Sequence, residues 1–249
     1  MITQLTFTDY EPKSFDAARQ AFLAKTPVPN AVFNQLETDA RTAAFSIARV
    51  EAMRSVMRAR ATITRVIDGG LTLREGVLEL QKQLADGDFS RGTLDRLQAT
   101  ILQNTALANA EARITALKDP AVVEEFPFWQ YMTVGDGTPL KIGVRPSHAA
   151  LHGLVFRHDD PFWDSHMPPW EFRCRCYIIP LRSEDVQRNG LTVQNLDFVR
   201  KDLEVKPNPN FGVPRGIGSL TQAARAALNT LDSDLRQKIE DLKQGDNQA

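Results

Sequence analysis

All four histidines and both cysteines of the 249-residue chain fall between His148 and Cys176. Imidazole and thiol side chains bind zinc, attack substrates and transfer protons near neutral pH. Because the rest of the chain contains neither residue type, chance placement is a poor explanation for the grouping. The same segment holds two of the three tryptophans, Trp163 and Trp170. We therefore expect the distinctive chemistry of this chain here.

The spacing of these residues predicts a shared metal site. His148 and His152 are four residues apart, so on a helix their side chains project from one face. Cys174 and Cys176 are two residues apart and would share one face of a strand. The four side chains would bind one structural zinc ion, with His166 as an alternative fourth ligand. In the competing interpretation no metal binds, and the cysteines and histidines are buried or hydrogen-bonded residues of the loop.

Two kinds of enzyme could use the same residues. A cysteine hydrolase would need Cys174 or Cys176 as its nucleophile and His148 as its base, but this segment alternates like a buried strand instead of forming an exposed turn. A zinc-dependent hydrolase or nuclease would need an open ligand position and a general base, and no glutamate adjoins the histidine pair. The residues favour a protein that is not an enzyme, and the zinc-dependent hydrolase or nuclease is the alternative.

Three helices are predicted before this segment. Residues 33–67 contain neither glycine nor proline and are rich in Ala, Arg, Glu and Met, which favours one long helix. Thr72 and Glu75 fit a capping box, in which each side chain accepts a hydrogen bond from the other residue's backbone amide, at the start of a second helix. A third helix is predicted over about 90–117. Short glycine-containing loops between them indicate an antiparallel helical unit.

The pattern changes to strands and turns at Phe126. Aromatic and β-branched residues on either side of a GDGTP turn predict a β-hairpin over roughly 128–144. A short helix is expected over 145–153, a proline- and aromatic-rich loop over 157–171, and a strand from Cys174 to Leu181. Short helices are expected near 183–189 and 192–202, and a last helix near Ser219, with Leu228, Leu231, Leu235 and Leu242 on one side.

These elements predict an α+β fold with a helical N-terminal half and a small β-rich module. The predicted divisions of the chain are an extended arm over 1–32, in which residues 15–24 suit a short helix, a helical domain over 33–125, the α+β module over 126–182, and C-terminal helices with a polar tail over 183–249.

Composition adds mild limits on function. The formal net charge is -1, so there is no overall attraction to nucleic acid or to a membrane surface. No run of apolar residues approaches the 18 or so that a membrane-spanning helix requires. The N-terminus lacks a charged region followed by an apolar one, which is the pattern of a secretory signal. We expect a protein made in a reducing cytoplasm that does not contact membranes.

Three motifs of the 126–182 module resemble those of a known family. They are R-P-S-H-A-A-L-H-G, D-D-P-F-W-D-S-H-x-P-P, and C-R-C-Y with a following proline. The chain resembles the phage minor head protein family, which contains the protein F-like head morphogenesis domain of Mu-type phages. The likeness is specific over about 128–181 and looser over 90–127. In the family the histidine matching His148 and the cysteines matching Cys174 and Cys176 stand in the motif, whereas the position of His152 is more often another polar residue.

The resemblance implies a virion protein assembled in the host cytoplasm. Such proteins associate with the portal and the inner capsid, contact capsid or scaffold proteins, and assist head assembly or genome delivery. Contact with packaged DNA is a further expectation. Longer relatives carry toxin or enzyme domains after the module, but only about 68 residues follow Leu181 here, too few for such a domain. The resemblance therefore also implies a protein that is not an enzyme.

Overall fold

We describe the protein from a computed structural model over residues 13–36, 38–50, 52–84, 94–134, 144–209 and 211–216. These residues combine helices with two small β-sheets, which confirms the predicted α+β fold. None of the helices within these ranges is both long enough and apolar enough to cross a membrane.

The first part of the chain is mainly helical. Its helices are α1 (Lys13–Leu23), α2 (Asn30–Gln35), α3 (Thr38–Thr42), α4 (Met53–Ile67), α5 (Leu73–Leu84) and α6 (Leu94–Leu117). Two short strands, β1 (Thr26–Pro27) and β2 (Ala44–Phe45), pair in parallel. The capping box at the start of α5 is confirmed, because Thr72 N donates to Glu75 Oε2 at 2.8 Å and Glu75 N donates to Thr72 Oγ1 at 3.3 Å.

Two expectations for this part are corrected. Residues 13–32 are not an extended arm: the short helix suited to residues 15–24 is confirmed by α1, and its Ala18 and Phe22 are fully buried in the helical core. Residues 33–67 are not one helix either: α2, α3 and β2 precede α4. The predicted helix is interrupted at β2, because the backbone carbonyls of residues 43–45 accept hydrogen bonds from the amides of residues 26–28. Tertiary pairing here outweighs helix propensity.

The second part of the chain surrounds a four-stranded sheet. Its strands are β3 (Phe128–Met132), β4 (Val155–Arg157), β5 (Tyr177–Leu181) and β6 (Val193–Gln194), in the spatial order β5-β3-β4-β6. β3 is antiparallel to both β4 and β5, and β4 is parallel to β6. Short helices connect them: α7 (Pro120–Glu125), α8 (Pro146–Ala150), α9 (Trp163–His166), α10 (Ser183–Arg188) and α11 (Leu196–Lys201).

The predicted 128–144 hairpin is corrected in part. Its first strand is β3, but the partners of β3 are β4 and β5. Residues 135–143, which were expected to turn and return, lie outside the described residues, as does the helix predicted from Ser219. The short helices expected over 145–153, 183–189 and 192–202 are confirmed by α8, α10 and α11.

Buried side chains form two hydrophobic clusters, and α6 contributes to both. Leu97 and Ile101 pack in the cluster made by α1, α4 and α5, whereas Ile114 and Leu117 pack in the cluster around the four-stranded sheet. Aromatic rings hold the 157–171 loop on the second cluster; Phe162, for example, stacks on Phe156 with ring centroids 3.9 Å apart. The loop that leads to the cysteines is therefore anchored by the core.

Candidate metal centre

Three of the residues singled out by spacing converge in the structure. The ring Nδ1 of His148 lies 3.3 Å from Cys176 Sγ and 3.6 Å from Cys174 Sγ. Candidate ligand atoms of the three residues all lie within 4.8 Å of one another. His148 is 2% exposed and Cys174 is 7% exposed. The group could hold a metal ion.

These distances fit a tetrahedral zinc site. With Zn–S near 2.3 Å and Zn–N near 2.0 Å, tetrahedral angles place a bound nitrogen and a bound sulfur about 3.5 Å apart. The two nitrogen–sulfur separations are close to that value. One imidazole and two thiolates also suit zinc chemically, because zinc prefers nitrogen and sulfur donors. The residues therefore fit the ion that their spacing predicted.

The orientation of His148 is fixed from three directions. Pro146 begins α8 and suits its first turn, because proline lacks the amide hydrogen that this turn leaves unused. The imidazole stacks on the indole of Trp170, with ring centroids 4.1 Å apart and planes 12° apart. On its far edge, Nε2 lies 3.0 Å from a carboxylate oxygen of Glu171. A carboxylate accepts, so Nε2 carries a hydrogen; Nδ1 faces the sulfurs and, in the neutral ring, would offer its lone pair to a bound metal ion.

Glu171 is a residue of the candidate site that spacing did not predict. Its carboxylate bonds to His148 and also lies 3.3 Å from Arg145 Nη1. Carboxylates in this position orient metal-binding histidines and raise their basicity. The sequence contains little that would identify Glu171, since it is a single acidic residue among aromatic and proline residues. Its place is set by folding of the loop around Trp170.

The two cysteines do not occupy the strand predicted for them. β5 begins at Tyr177, and both cysteines lie in the irregular segment before it. Cys174 N donates to Glu171 O at 3.1 Å, and Arg173 has a positive φ of 60° in this turn. Arg173 N in turn donates to the side chain of Gln103 on α6 at 2.9 Å. A turn tied to α6, and not strand alternation, directs both sulfurs to His148.

Charges within the group favour a thiolate. Hydrogen bonding from Cys176 lowers the pKa of the Cys174 thiol to about 5, and the bond to His148 adds to this although burial opposes it. The pKa of Cys176 is raised, because its bond to the Cys174 thiolate and its burial both disfavour a second negative charge. Burial opposes a charged imidazole, yet bonds to Cys174 and Glu171 raise the pKa of His148. A bound divalent cation would stabilise both thiolates.

The two residues considered as the fourth ligand lie elsewhere. Nδ1 of His152 is 3.1 Å from Thr133 N, which donates to it. His166 is 1% exposed, stacks on Phe162 with centroids 4.8 Å apart, and has Nδ1 2.9 Å from Ser165 Oγ. Burial lowers the pKa of His166 to about 4, so this imidazole is neutral at pH 7. Neither residue joins the group of three among the described residues.

A small cavity adjoins the three side chains. It has a volume of about 20 Å³ and is lined by His148, both cysteines, Arg145, Arg173, Arg175, Val134 and Val144. That is room for about one water molecule and not for a substrate. Thiol, imidazole and carboxylate do lie in the order that cysteine hydrolases use, but Cys174 is buried. Both cysteines also line a larger cavity of about 860 Å³ between α6 and the segment from Pro168 to Ile178.

Comparison with known proteins finds one family. The family described as "Phage Mu protein F like protein" matches residues 58–179. The matched range begins within α4 and ends within β5, so it extends well before the 126–182 module. It contains His148, Glu171 and both cysteines.

Two curated relatives are similar to the chain. The putative capsid assembly protein F of Escherichia phage Mu is 30% identical over 171 residues, which cover 62% of this chain and 37% of the relative. The Mu-like prophage FluMu F protein of Haemophilus influenzae is 29% identical over 177 residues, which cover 66% of this chain and 41% of the relative. The chain thus spans about two fifths of each relative's length. No solved structure matches the chain significantly.

Proposed function

We propose that the chain is a non-enzymatic head morphogenesis protein of a tailed phage, because residues 58–179 match the phage Mu protein F-like family. The observation that carries the proposal is the extent of the match, which includes the packed helices α5 and α6, strands β3 and β4, and the residues of the candidate metal centre. A relative that is 30% identical over 171 residues is named as a putative capsid assembly protein.

We further propose that the chain acts in the virion, at the portal and the inner capsid. Its partners would be the portal protein and capsid or scaffold proteins, with contact to packaged DNA, and it would enter heads assembled in the host cytoplasm. Support comes from the resemblance of the 126–182 motifs to those of minor head proteins. It would assist head assembly or genome delivery.

Purification from phage-producing cells tests this role. A tagged chain is expected to co-purify with portal protein and to sediment with procapsids, and cells that lack the chain should yield fewer DNA-filled heads. Recovery without portal or procapsid, together with metal-dependent turnover of nucleic acid by the purified chain, would instead establish the zinc-dependent hydrolase or nuclease.

We propose that His148, Cys174 and Cys176 bind one structural zinc ion. The fourth position would face the cavity of about 20 Å³, which has room for one water molecule. Zinc sites with a water ligand are usually catalytic, but Glu171, the carboxylate beside the site, is engaged by His148 and Arg145 and is not free to act as a general base. The bound ion would fix the cysteine turn against α8, and the chain would perform no chemistry on it.

Elemental analysis of the purified chain tests the zinc proposal. Near-stoichiometric zinc is expected in the parent and in a His152→Ala variant, and little in a Cys174→Ser/Cys176→Ser variant. Loss of zinc in His152→Ala would restore His152 as the fourth ligand. Absence of metal from the parent would show that the cysteines are ordinary buried residues.

A further inference from the structure

A long groove lies between α6 and the segment from Pro168 to Ile178. Its volume is about 860 Å³, and along α6 it extends from Asp95 to Ile114, which is about 28 Å of helix. Leu102 and Tyr177 line the groove and are 49% and 39% exposed. Exposed apolar side chains that are grouped in one place and bordered by polar residues are typical of a surface that binds another molecule.

The groove uses the face of α6 that points away from the helical core. Leu97 and Ile101, on the other face, are buried among α1, α4 and α5. Ala99, Ala106 and Ala110 follow one another at intervals of seven and four residues, so they share the groove face. Small side chains let the axis of a second helix come close to α6. None of the described residues fills this face, and its length and shape suit a helix from another molecule.

Three arginines give the groove a positive charge. Arg113, Arg173 and Arg175 line it, and all three are exposed. Arg113 donates to Ile178 O, but within the described ranges none of the three guanidinium groups forms an ion pair with a carboxylate. Asp95, the one acidic residue among the described residues of the groove, lies in the first turn of α6, where a carboxylate suits the helix dipole. The excess of positive charge favours a partner that carries carboxylates.

We propose that the groove binds an acidic amphipathic helix of a partner protein. Helices bind apolar grooves through side chains that recur every three, four and seven residues. Such side chains would pack on Leu102 and on the alanines of α6, while carboxylates at the edge of the bound helix would pair with Arg173 and Arg175. This complementarity of charge selects which amphipathic helices bind. Duplex DNA suits the groove less well, because phosphate contacts would leave Leu102 and Tyr177 uncovered.

Two synthetic peptides measure the preference for an acidic helix. The acidic peptide contains three copies of the heptad Leu-Glu-Ala-Leu-Glu-Glu-Ala, and the basic peptide carries Lys in place of every Glu. Each would be about 30 Å long as a helix, which matches the length of the groove. Fluorescence anisotropy of the labelled peptides with the full-length chain measures Kd. The acidic peptide is expected to bind at least about tenfold more tightly than the basic one, and added salt should weaken its binding.

Charge-reversal variants locate the bound peptide. Arg173→Glu/Arg175→Glu should weaken binding of the acidic peptide about tenfold or more and strengthen binding of the basic peptide, because carboxylates would then face carboxylates. Arg54→Glu/Arg58→Glu is the matched control, since these arginines are exposed on α4, lie outside the groove and change the net charge of the chain by the same amount. The control should leave both affinities nearly unchanged.

A second pair of variants tests the apolar contact. Leu102→Asn should weaken binding of the acidic peptide about tenfold, because an amide buried without a hydrogen-bond partner is costly. Leu78→Asn should not, since Leu78 is 52% exposed on α5 and outside the groove. Circular dichroism checks that each variant is folded.

Three results would overturn the proposal. One is the absence of saturable binding of the acidic peptide up to about 1 mM, as expected if another segment of this chain fills the groove. Another is equal affinity for the two peptides. The third is binding of a short DNA duplex in place of the acidic peptide, lost in Arg173→Glu/Arg175→Glu, which would assign the groove to nucleic acid. These measurements do not depend on the proposed role in head assembly or on bound zinc.

Discussion

Glu171 holds the imidazole of His148 from the side opposite to the two sulfurs. We therefore expect Glu171→Gln to weaken zinc binding about 10- to 100-fold, because an amide neither fixes the ring nor raises its basicity as a carboxylate does. Titration with a competing chelator measures the affinity. Glu125→Gln is the control, since Glu125 pairs with Arg182 at a half-exposed position away from the cluster. Equal affinities in the two variants would contradict the role assigned to Glu171.

His166 gives a separate prediction about pH. Burial depresses its pKa to about 4, below the value near 6.5 expected in the unfolded chain. The neutral residue therefore contributes stability that is fully present above pH 6.5 and is lost as pH falls toward 4. Between pH 7 and pH 5 this contribution falls by about 2 kcal/mol.

A His166→Phe variant isolates that contribution. It keeps a ring against Phe162 but does not titrate, so its free energy of unfolding should fall about 2 kcal/mol less than the parent's between pH 7 and pH 5. Urea unfolding at both pH values measures the difference. Both proteins carry the same candidate metal centre, so its titration changes the two free energies equally and does not affect their difference. Identical pH dependence in the two proteins would show that His166 is not held neutral.

Prediction from sequence succeeded for the histidine and cysteines, which are rare residue types in this chain. It failed for Glu171, whose position depends on how the 157–171 loop folds. His148, Cys174 and Cys176 were predicted to meet, and they do, although the reason given for the cysteines was wrong. Strand alternation was inferred from C-R-C-Y, whereas the turn at Arg173 directs the sulfurs. Helical spacing suggested His152, but Thr133 bonds to its Nδ1. Glu171 depends on contacts far apart in sequence, which no local pattern records.

At the level of elements, Gly76 sets how closely α5 approaches its neighbours. A Cβ there would lie 2.6 Å from Cγ2 of Val66 on α4 and 3.3 Å from Cδ1 of Ile101 on α6. Val66 is β-branched and cannot easily turn away. We expect Gly76→Ala to lower the free energy of unfolding by about 1–3 kcal/mol, more than the gain of about 1 kcal/mol in helix propensity.

Denaturant unfolding of two glycine variants tests this packing. Gly70→Ala is the matched control, because its Cβ would meet only Arg65 O at 3.5 Å, an ordinary contact, and it should change stability little. A Gly76→Ala variant as stable as the parent would mean that the three helices pack less tightly than described.

Elements with strong local signals were the ones predicted well. α5 has a capping box and α6 is a long segment between turn residues, and both were expected within a few residues of their ends. The break between α3 and α4 was missed, because its cause is the pairing of β2 with β1 and not a glycine or proline. The partners of β3 were missed for the same reason: β5 follows it by more than 40 residues.

On the scale of the whole molecule, α6 joins two hydrophobic clusters that differ in their secondary structure. The first cluster consists of helices with long apolar faces. The second is built from short strands and loops, which pack around Trp129 and Trp170 and are tied to α6 through Arg113, whose guanidinium donates to Ile178 O. A small β-rich unit with so little regular structure gains most from a bound metal, because the metal replaces core area that the unit lacks.

Loss of the proposed zinc ion should therefore destabilise one cluster more than the other. Chelation, or the Cys174→Ser/Cys176→Ser variant, should speed amide hydrogen exchange over 146–181 about tenfold or more, a local loss of about 1.4 kcal/mol. Exchange in α4 and α5 should change little, because their contacts lie in the first cluster. Hydrogen–deuterium exchange read by mass spectrometry resolves the two regions, and His152→Ala serves as a control that retains all three proposed ligands. Equally faster exchange in both clusters would show that α6 makes them one cooperative unit. Unchanged exchange over 146–181 would mean that aromatic packing alone holds the loop in place.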